Sequence, residues 1–166
     1  MQEQFIYTEK DVKQMRIIII ALCCGVSFIC LIAIMLGSAP MPSQQINGPE
    51  TNDMALRIIH AVLSLCAIIG SKFIGDKILS GKVNNRGAKV QSPFMRYRSS
   101  VIIRIALLEG VTLFGAVIFL QASVSGSIDA TYYLHLLPLP ILLLSARSFY
   151  PTDFKLAELS RAFNTE

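Results

Sequence analysis

Glu109 lies near the middle of "SSVIIRIALLEGVTLFGAVIFLQ" (residues 99–121), an apolar run long enough to cross a bilayer, and Arg104 lies five residues before it. A charged acid at the bilayer centre costs roughly 2.5–3.5 kcal/mol on insertion scales, so such a residue takes up a proton or faces something polar. That chemistry makes Glu109 a candidate carrier of a proton or small cation. Five residues on a helix subtend about 140°, so Arg104 is not its natural i, i+4 partner. The expectation for Arg104 is to reach the inner headgroup phosphates or to meet Asp76.

The sequence has two histidines, His60 and His135. Each stands five residues before the centre of an apolar run, which places both about 7–8 Å from the midplane on the same side. Two level histidines on separate helices of a four-helix bundle are candidate ligands of one b-type haem, taken from opposite sides. Ser64 and Ser71 extend a polar stripe from His60. Thr112 and Ala116 share a helical face with Glu109, and Ala106 with Gly110 forms a small-xxx-small pair suited to close helix contact.

These residues need helices to hold them. Of 166 residues, 53% are apolar and only 16% charged, with a mean hydropathy of +0.55. Soluble domains carry about 25% charged residues. The apolar residues fall in four blocks, about 16–37, 54–75, 99–121 and 131–150, each near the roughly 20 residues that a spanning helix needs. Backbone groups in lipid must be satisfied within the segment, which favours helix, and no strand-like alternation is present. The expected fold is therefore all-α: one polytopic membrane domain, a four-helix transmembrane bundle followed by a tail, 151–166. The first block has a long apolar core and Glu3, Glu9 and Asp11 before it, so it reads as a retained span and not as a cleaved leader. In the fourth block, Pro138 and Pro140 remove two backbone donors, which predicts a kink that frees the carbonyls of Leu134 and Leu136.

Charge orients the bundle. Eight basic residues lie between spans two and three or at their ends: Lys72, Lys77, Lys82, Arg86, Lys89, Arg96, Arg98 and Arg104. Lys10, Lys13 and Arg16 precede the first span, and Arg147, Lys155 and Arg161 close or follow the fourth. The loops "SAPMPSQQINGPETND" and "ASVSGSIDA" have none. Basic residues accumulate on the cytoplasmic side, so both termini and the central loop are expected there. The eight basic residues are candidate contacts for anionic lipid or a protein partner at the inner surface. No stacking motif points to nucleic acid.

The tail "PTDFKLAELSRAFNTE" offers Thr152 as an N-cap and places Leu156, Leu159 and Phe163 on one face, the pattern of a short amphipathic surface helix. Cys23, Cys24, Cys30 and Cys66 all fall inside spans with no metal-ligand spacing. Cys23, Ser27 and Cys30 mark a small-residue packing face.

The segment "ALLEGVTLFGAVI" is similar to the carboxylate helix of the ring-forming c subunit of rotary ATPases, and that resemblance implies Glu109 as the ion-carrying acid. The wider pattern, "YRSSVIIRIALLEGVTLFG" followed by a span and "YPTDFKLAEL", resembles small uncharacterised four-span bacterial membrane proteins, which implies an inner-membrane location. No nucleophile–base constellation, phosphate loop or metal motif occurs, so no enzyme is expected. The expected role is an accessory or structural subunit of a larger membrane complex, or a homo-oligomer, without a cofactor. Ion translocation through Glu109 and a haem b electron-transfer subunit are the alternatives.

Overall fold

The computed structural model describes residues 6–37, 50–80, 92–125 and 128–164, and all regular structure among them is helical. Helix α1 spans Glu9–Gly37, α2 Glu50–Leu79 and α3 Pro93–Val124. A 3-10 segment, Ala130–Leu136, leads into α4, Pro138–Phe149, and α5 follows at Asp153–Asn164. Three helices, α1, α2 and α3, are long and apolar enough to cross a membrane.

Each of the three overruns its apolar block. Helix α3 begins six residues before position 99 because Ser92 caps it and Pro93 sits at its first turn. The cap's hydroxyl oxygen accepts from the Met95 amide at 3.4 Å, and proline there gives up an N–H with no helical partner in any case.

The fourth block departs from the expectation of one continuous spanning helix. Its first half is a 3-10 helix of seven residues, and an α-helix of twelve follows, joined at Leu137. Prolines at 138 and 140 cannot donate to the carbonyls of Leu134 and Leu136. The Leu134 carbonyl instead accepts from the Leu137 amide at 3.2 Å, an i→i+3 bond of the tighter helix.

Consecutive elements run antiparallel. At one end the start of α1 meets the end of α4: Arg16 donates through Nε and Nη2 to the Pro151 carbonyl at 3.0 and 2.8 Å and pairs with Asp153 at 2.9 Å. At the same end the start of α3 meets both neighbours. Tyr97 donates to the Phe149 carbonyl at 2.9 Å, and Ser100 to the Gly75 carbonyl at 2.8 Å. We call this the basic end. At the opposite end Gly37 of α1 lies against Phe119 of α3 and Ile128.

Helix α3 is the centre. Half of its apolar window is buried, against 22% for α1 and 17% for α2. Helices α1, α2 and α4 each pack on it, while α2 and α4 scarcely touch each other. The core is apolar around Met15, Ile19, Ile105, Leu108, Phe119 and Leu142. The surface is apolar too: Ile17, Phe28, Met35, Leu65, Phe73 and Leu144 are all exposed. Water would oppose that surface at roughly 25 cal/mol per Å², and lipid would not. The tail is helical as expected, with the Lys155 amide bonded to the Thr152 hydroxyl at 3.3 Å and Leu156 buried at the base of the bundle.

Candidate functional site

Polar side chains inside the bundle gather at two levels of α3. At the first, the two histidines meet. His60 of α2 is 2% exposed and His135 of the 3-10 segment 7%. Their Nδ1 atoms are 2.9 Å apart, with ring centroids at 4.8 Å in an edge-on arrangement. His60 Nε2 is 3.0 Å from the Val111 carbonyl of α3, with the Ser64 hydroxyl at 3.4 Å. A carbonyl only accepts, which puts the hydrogen on His60 Nε2. In the neutral ring His60 Nδ1 then accepts, and His135 Nδ1 donates.

Gly115 makes this meeting possible. A Cβ there would collide with the His135 carbonyl oxygen and come within 2.8 Å of His60 Nε2. The missing side chain lets the 3-10 backbone rest on α3, and that contact carries His135 to His60.

Above the pair sits a latch that the charge pattern did not reveal. Arg57 of α2 donates to the Thr131 hydroxyl at 2.7 Å, and that hydroxyl donates to Asp129. The Arg57 guanidinium lies 4.0 Å from Asp129 and 3.8 Å over the Tyr132 ring. The Thr131 hydroxyl and backbone amide hold the Asp129 carboxyl below its ordinary value. Arg57 is a basic residue at the end where basic residues are otherwise missing, and Asp129 is the acid in the facing loop. That coincidence was the available signal. Beneath the latch a mostly apolar cavity of about 520 Å³ opens between α2 and the fourth block, with Leu134, His135 and Pro138 on its wall.

The second level is at the basic end. Arg104 is 7% exposed, and its Nη2 pairs with Asp76 of α2 at 2.5 Å. The Asp76 contact expected for Arg104 is present. Its guanidinium also lies 4.5 Å over the Phe149 ring of α4, and Nε is buried with no hydrogen-bond partner. Gly75 gives the guanidinium its place, since a Cβ there would overlap Arg104 Nε.

Glu109 belongs to neither group. It is half-buried, has no hydrogen bond or ion pair among the described residues, and lies within electrostatic reach of Cys23 on α1. Ala106 and Gly110 beside it are exposed, and nothing lies within 4 Å of a Cβ built at Gly110. The expected face shared with Thr112 and Ala116 is therefore not one interior face. Both of those residues are fully buried, while the stripe is open at the level of Glu109. Packed helices cross, so a stripe covered at one level is uncovered two turns away. The small-xxx-small pair likewise meets no other helix among the described residues.

Two of the helix-face candidates are spent on their own helices. Thr112 donates to the Leu108 carbonyl at 2.7 Å and Ser71 to the Ile68 carbonyl at 2.9 Å, the back-bonding common for hydroxyls inside helices. Lys72 and Lys77 are exposed on α2, and Arg96 and Arg98 are half-buried on α3. Lys82, Arg86 and Lys89 lie outside the described residues. Cys30 is buried, Cys23 half-buried and Cys24 and Cys66 exposed, all as free thiols.

Three apolar helices of spanning length, an apolar exterior and buried polar pairs define an integral membrane protein of the all-helical kind. No family model, curated protein or solved structure matches the chain, so neither resemblance in the sequence carries a family assignment.

Proposed function

We propose that the protein is a non-catalytic subunit of a larger membrane complex and docks through the open face of α3, with Glu109 as the polar contact. The observation that carries this reading is Glu109 itself: an acid in mid-span, unpaired among the described residues and flanked by the exposed Ala106 and Gly110. A carboxyl facing only acyl chains has nothing to satisfy it. A transmembrane helix of another subunit, seated on the small residues and bearing a hydrogen-bonding group, would satisfy it.

In this reading the fourth block crosses the bilayer as well. Seven residues of 3-10 helix at about 2.0 Å rise and twelve of α-helix at about 1.5 Å give roughly 32 Å, enough for a hydrocarbon core of about 30 Å. Four crossings leave the basic end in the cytoplasm of a bacterial cell, as the positive-inside pattern requires.

The haem alternative finds less support. Two imidazoles on opposite sides of one metal need their nitrogens roughly 4 Å apart, from about 2 Å per metal–imidazole bond. The His60 and His135 Nδ1 atoms are hydrogen-bonded at 2.9 Å instead.

The test is purification from native membranes with mass spectrometry of what accompanies the chain. Wild type is expected to bring stoichiometric membrane partners. Gly110→Leu, which fills the open face, is expected to lose them without destabilising the chain itself, since leucine favours the helix over glycine by up to about 1 kcal/mol. A wild-type chain that purifies alone would sink the proposal. If Glu109→Gln keeps the partners but abolishes proton flux in liposomes, Glu109 carries protons instead.

A further inference from the structure

The groove between α2 and α4 has two chemically different parts. Both helices pack on α3 and scarcely on each other, and at the basic end Arg104 and Leu108 of α3 line the groove. Toward the opposite end it widens into the mostly apolar cavity of about 520 Å³. At the basic end it narrows to a cavity of about 250 Å³ that includes Arg104, Lys72, Asp76 and Ser145. Ile68 and Ile141 line both, so the two adjoin.

The basic compartment has more donors than acceptors. A guanidinium carries five N–H donors. The hydrogen bond described for Arg104 uses one of them, to Asp76; Nε is closed off against Gly75 and has no partner among the described residues. Lys72 adds a second cation, and the Lys155 ammonium lies 5.2 Å from the centroid of the same Phe149 ring that Arg104 covers. A single carboxylate, Asp76, lines this compartment. Phosphate fits such a site, because its oxygens match the arginine fork and balance the charge.

The apolar compartment sets the rest of the ligand. From Ile68 to Arg57 along α2 is eleven residues, about 16 Å. One leaflet contributes about 15 Å to a hydrocarbon core of roughly 30 Å. An acyl chain running from a phosphate at Arg104 would pass between Ile68 and Ile141 and end below the histidine pair.

We infer that the α2–α4 groove binds one anionic phospholipid from the leaflet at the basic end, its phosphate held by Arg104 and Lys72 and one acyl chain lying in the apolar cavity. The site lies apart from the Glu109 face and is independent of the docking proposal. Arg104 is also structural, so the test uses two groove residues that are less buried.

The full chain in detergent is exchanged into mixed phosphatidylglycerol and phosphatidylcholine, and retained lipid is read by native mass spectrometry. Wild type is expected to retain one phosphatidylglycerol in preference to phosphatidylcholine. Lys72→Gln is expected to weaken that retention about tenfold. Ile141→Trp, which blocks the passage and leaves every charge, is expected to abolish it. A parallel titration with inorganic phosphate should show no comparable binding. Equal retention of the two lipids, or retention unchanged in both variants, would overturn the inference. So would saturable binding of phosphate alone that Ile141→Trp leaves intact, which would make this a site for the free anion.

Discussion

The histidine pair and Glu109 are titratable groups inside an apolar helical bundle, and the fold treats them in opposite ways. His60 and His135 are drawn inward and joined to each other and to the Val111 carbonyl. Glu109, less than a turn from Val111 along α3, stays at the bundle's edge with no such bond. A polar group that a chain satisfies internally fixes helix positions. One that it leaves facing outward is open to a partner elsewhere, which is the role proposed for Glu109. Polarity in the membrane is thus a poor guide to function until it is known which way each group faces.

The comparison breaks first at Gly115. A Cβ there meets the His135 carbonyl, which is backbone and cannot rotate away as a side chain could. Gly115→Ala should therefore lift the 3-10 segment from α3, separate the histidines and cost about 3 kcal/mol, the upper range for overpacking. Thermal unfolding in detergent checks this. The matching change on the open face, Gly110→Ala, should not lower the midpoint and should raise it slightly, since alanine favours the helix by up to about 1 kcal/mol. If the two glycines behave alike, inward and outward faces do not differ as described.

A smaller loss is expected at the pair itself. His135→Phe keeps a flat ring but removes the donor to His60 Nδ1, leaving a buried acceptor unsatisfied at about 1–3 kcal/mol. His60→Phe should cost a similar amount, because it removes the partner of both His135 and the Val111 carbonyl. The double variant should cost less than the sum of the two, since the partners form one unit. Strict additivity, measured in the same unfolding assay, would mean that the hydrogen bond contributes nothing.

What the residues disclosed in advance follows from the range over which each rule works. Three spanning helices were legible because an apolar run of about 20 residues has few other uses. The break in the fourth block was legible at Pro138 and Pro140, but not the seven-residue 3-10 helix ahead of it, which depends on backbone contact at Gly115. Rise per residue put His60 and His135 at one height. It could not say that they touch, because helix order around a bundle is not written in one sequence. Gly75 and Gly115 look like any glycine in a membrane helix until Arg104 and His135 are seen above them. Arg57 escaped because charge counting treats basic residues as markers of a side, whereas its role is a pairwise one with Thr131 and Asp129. Glu109 stood out by cost, yet a helical wheel alone placed it with the buried Thr112 and Ala116.

The Arg57 latch sharpens the comparison with the smallest expected effect, because it closes the paired half of the molecule at its exposed end. The Asp129 carboxyl accepts from the Thr131 amide at 2.8 Å and from the Thr131 hydroxyl, and these bonds, with Arg57 nearby, lower its pKa from the ordinary 3.8. A depressed carboxyl pKa contributes stability that is fully present above the unfolded value and is lost as pH falls through the folded one. Unfolding midpoints of wild type should therefore be flat near neutrality and decline as pH drops below about 4. Asp129→Asn, which keeps the shape but not the charge, should start slightly lower at neutral pH and lose part of that acid decline. The residue is solvent-exposed, so the difference should shrink further in high salt. If both proteins decline in parallel, the latch is held by the Arg57–Thr131 bond and the Tyr132 ring, with the Asp129 charge a bystander.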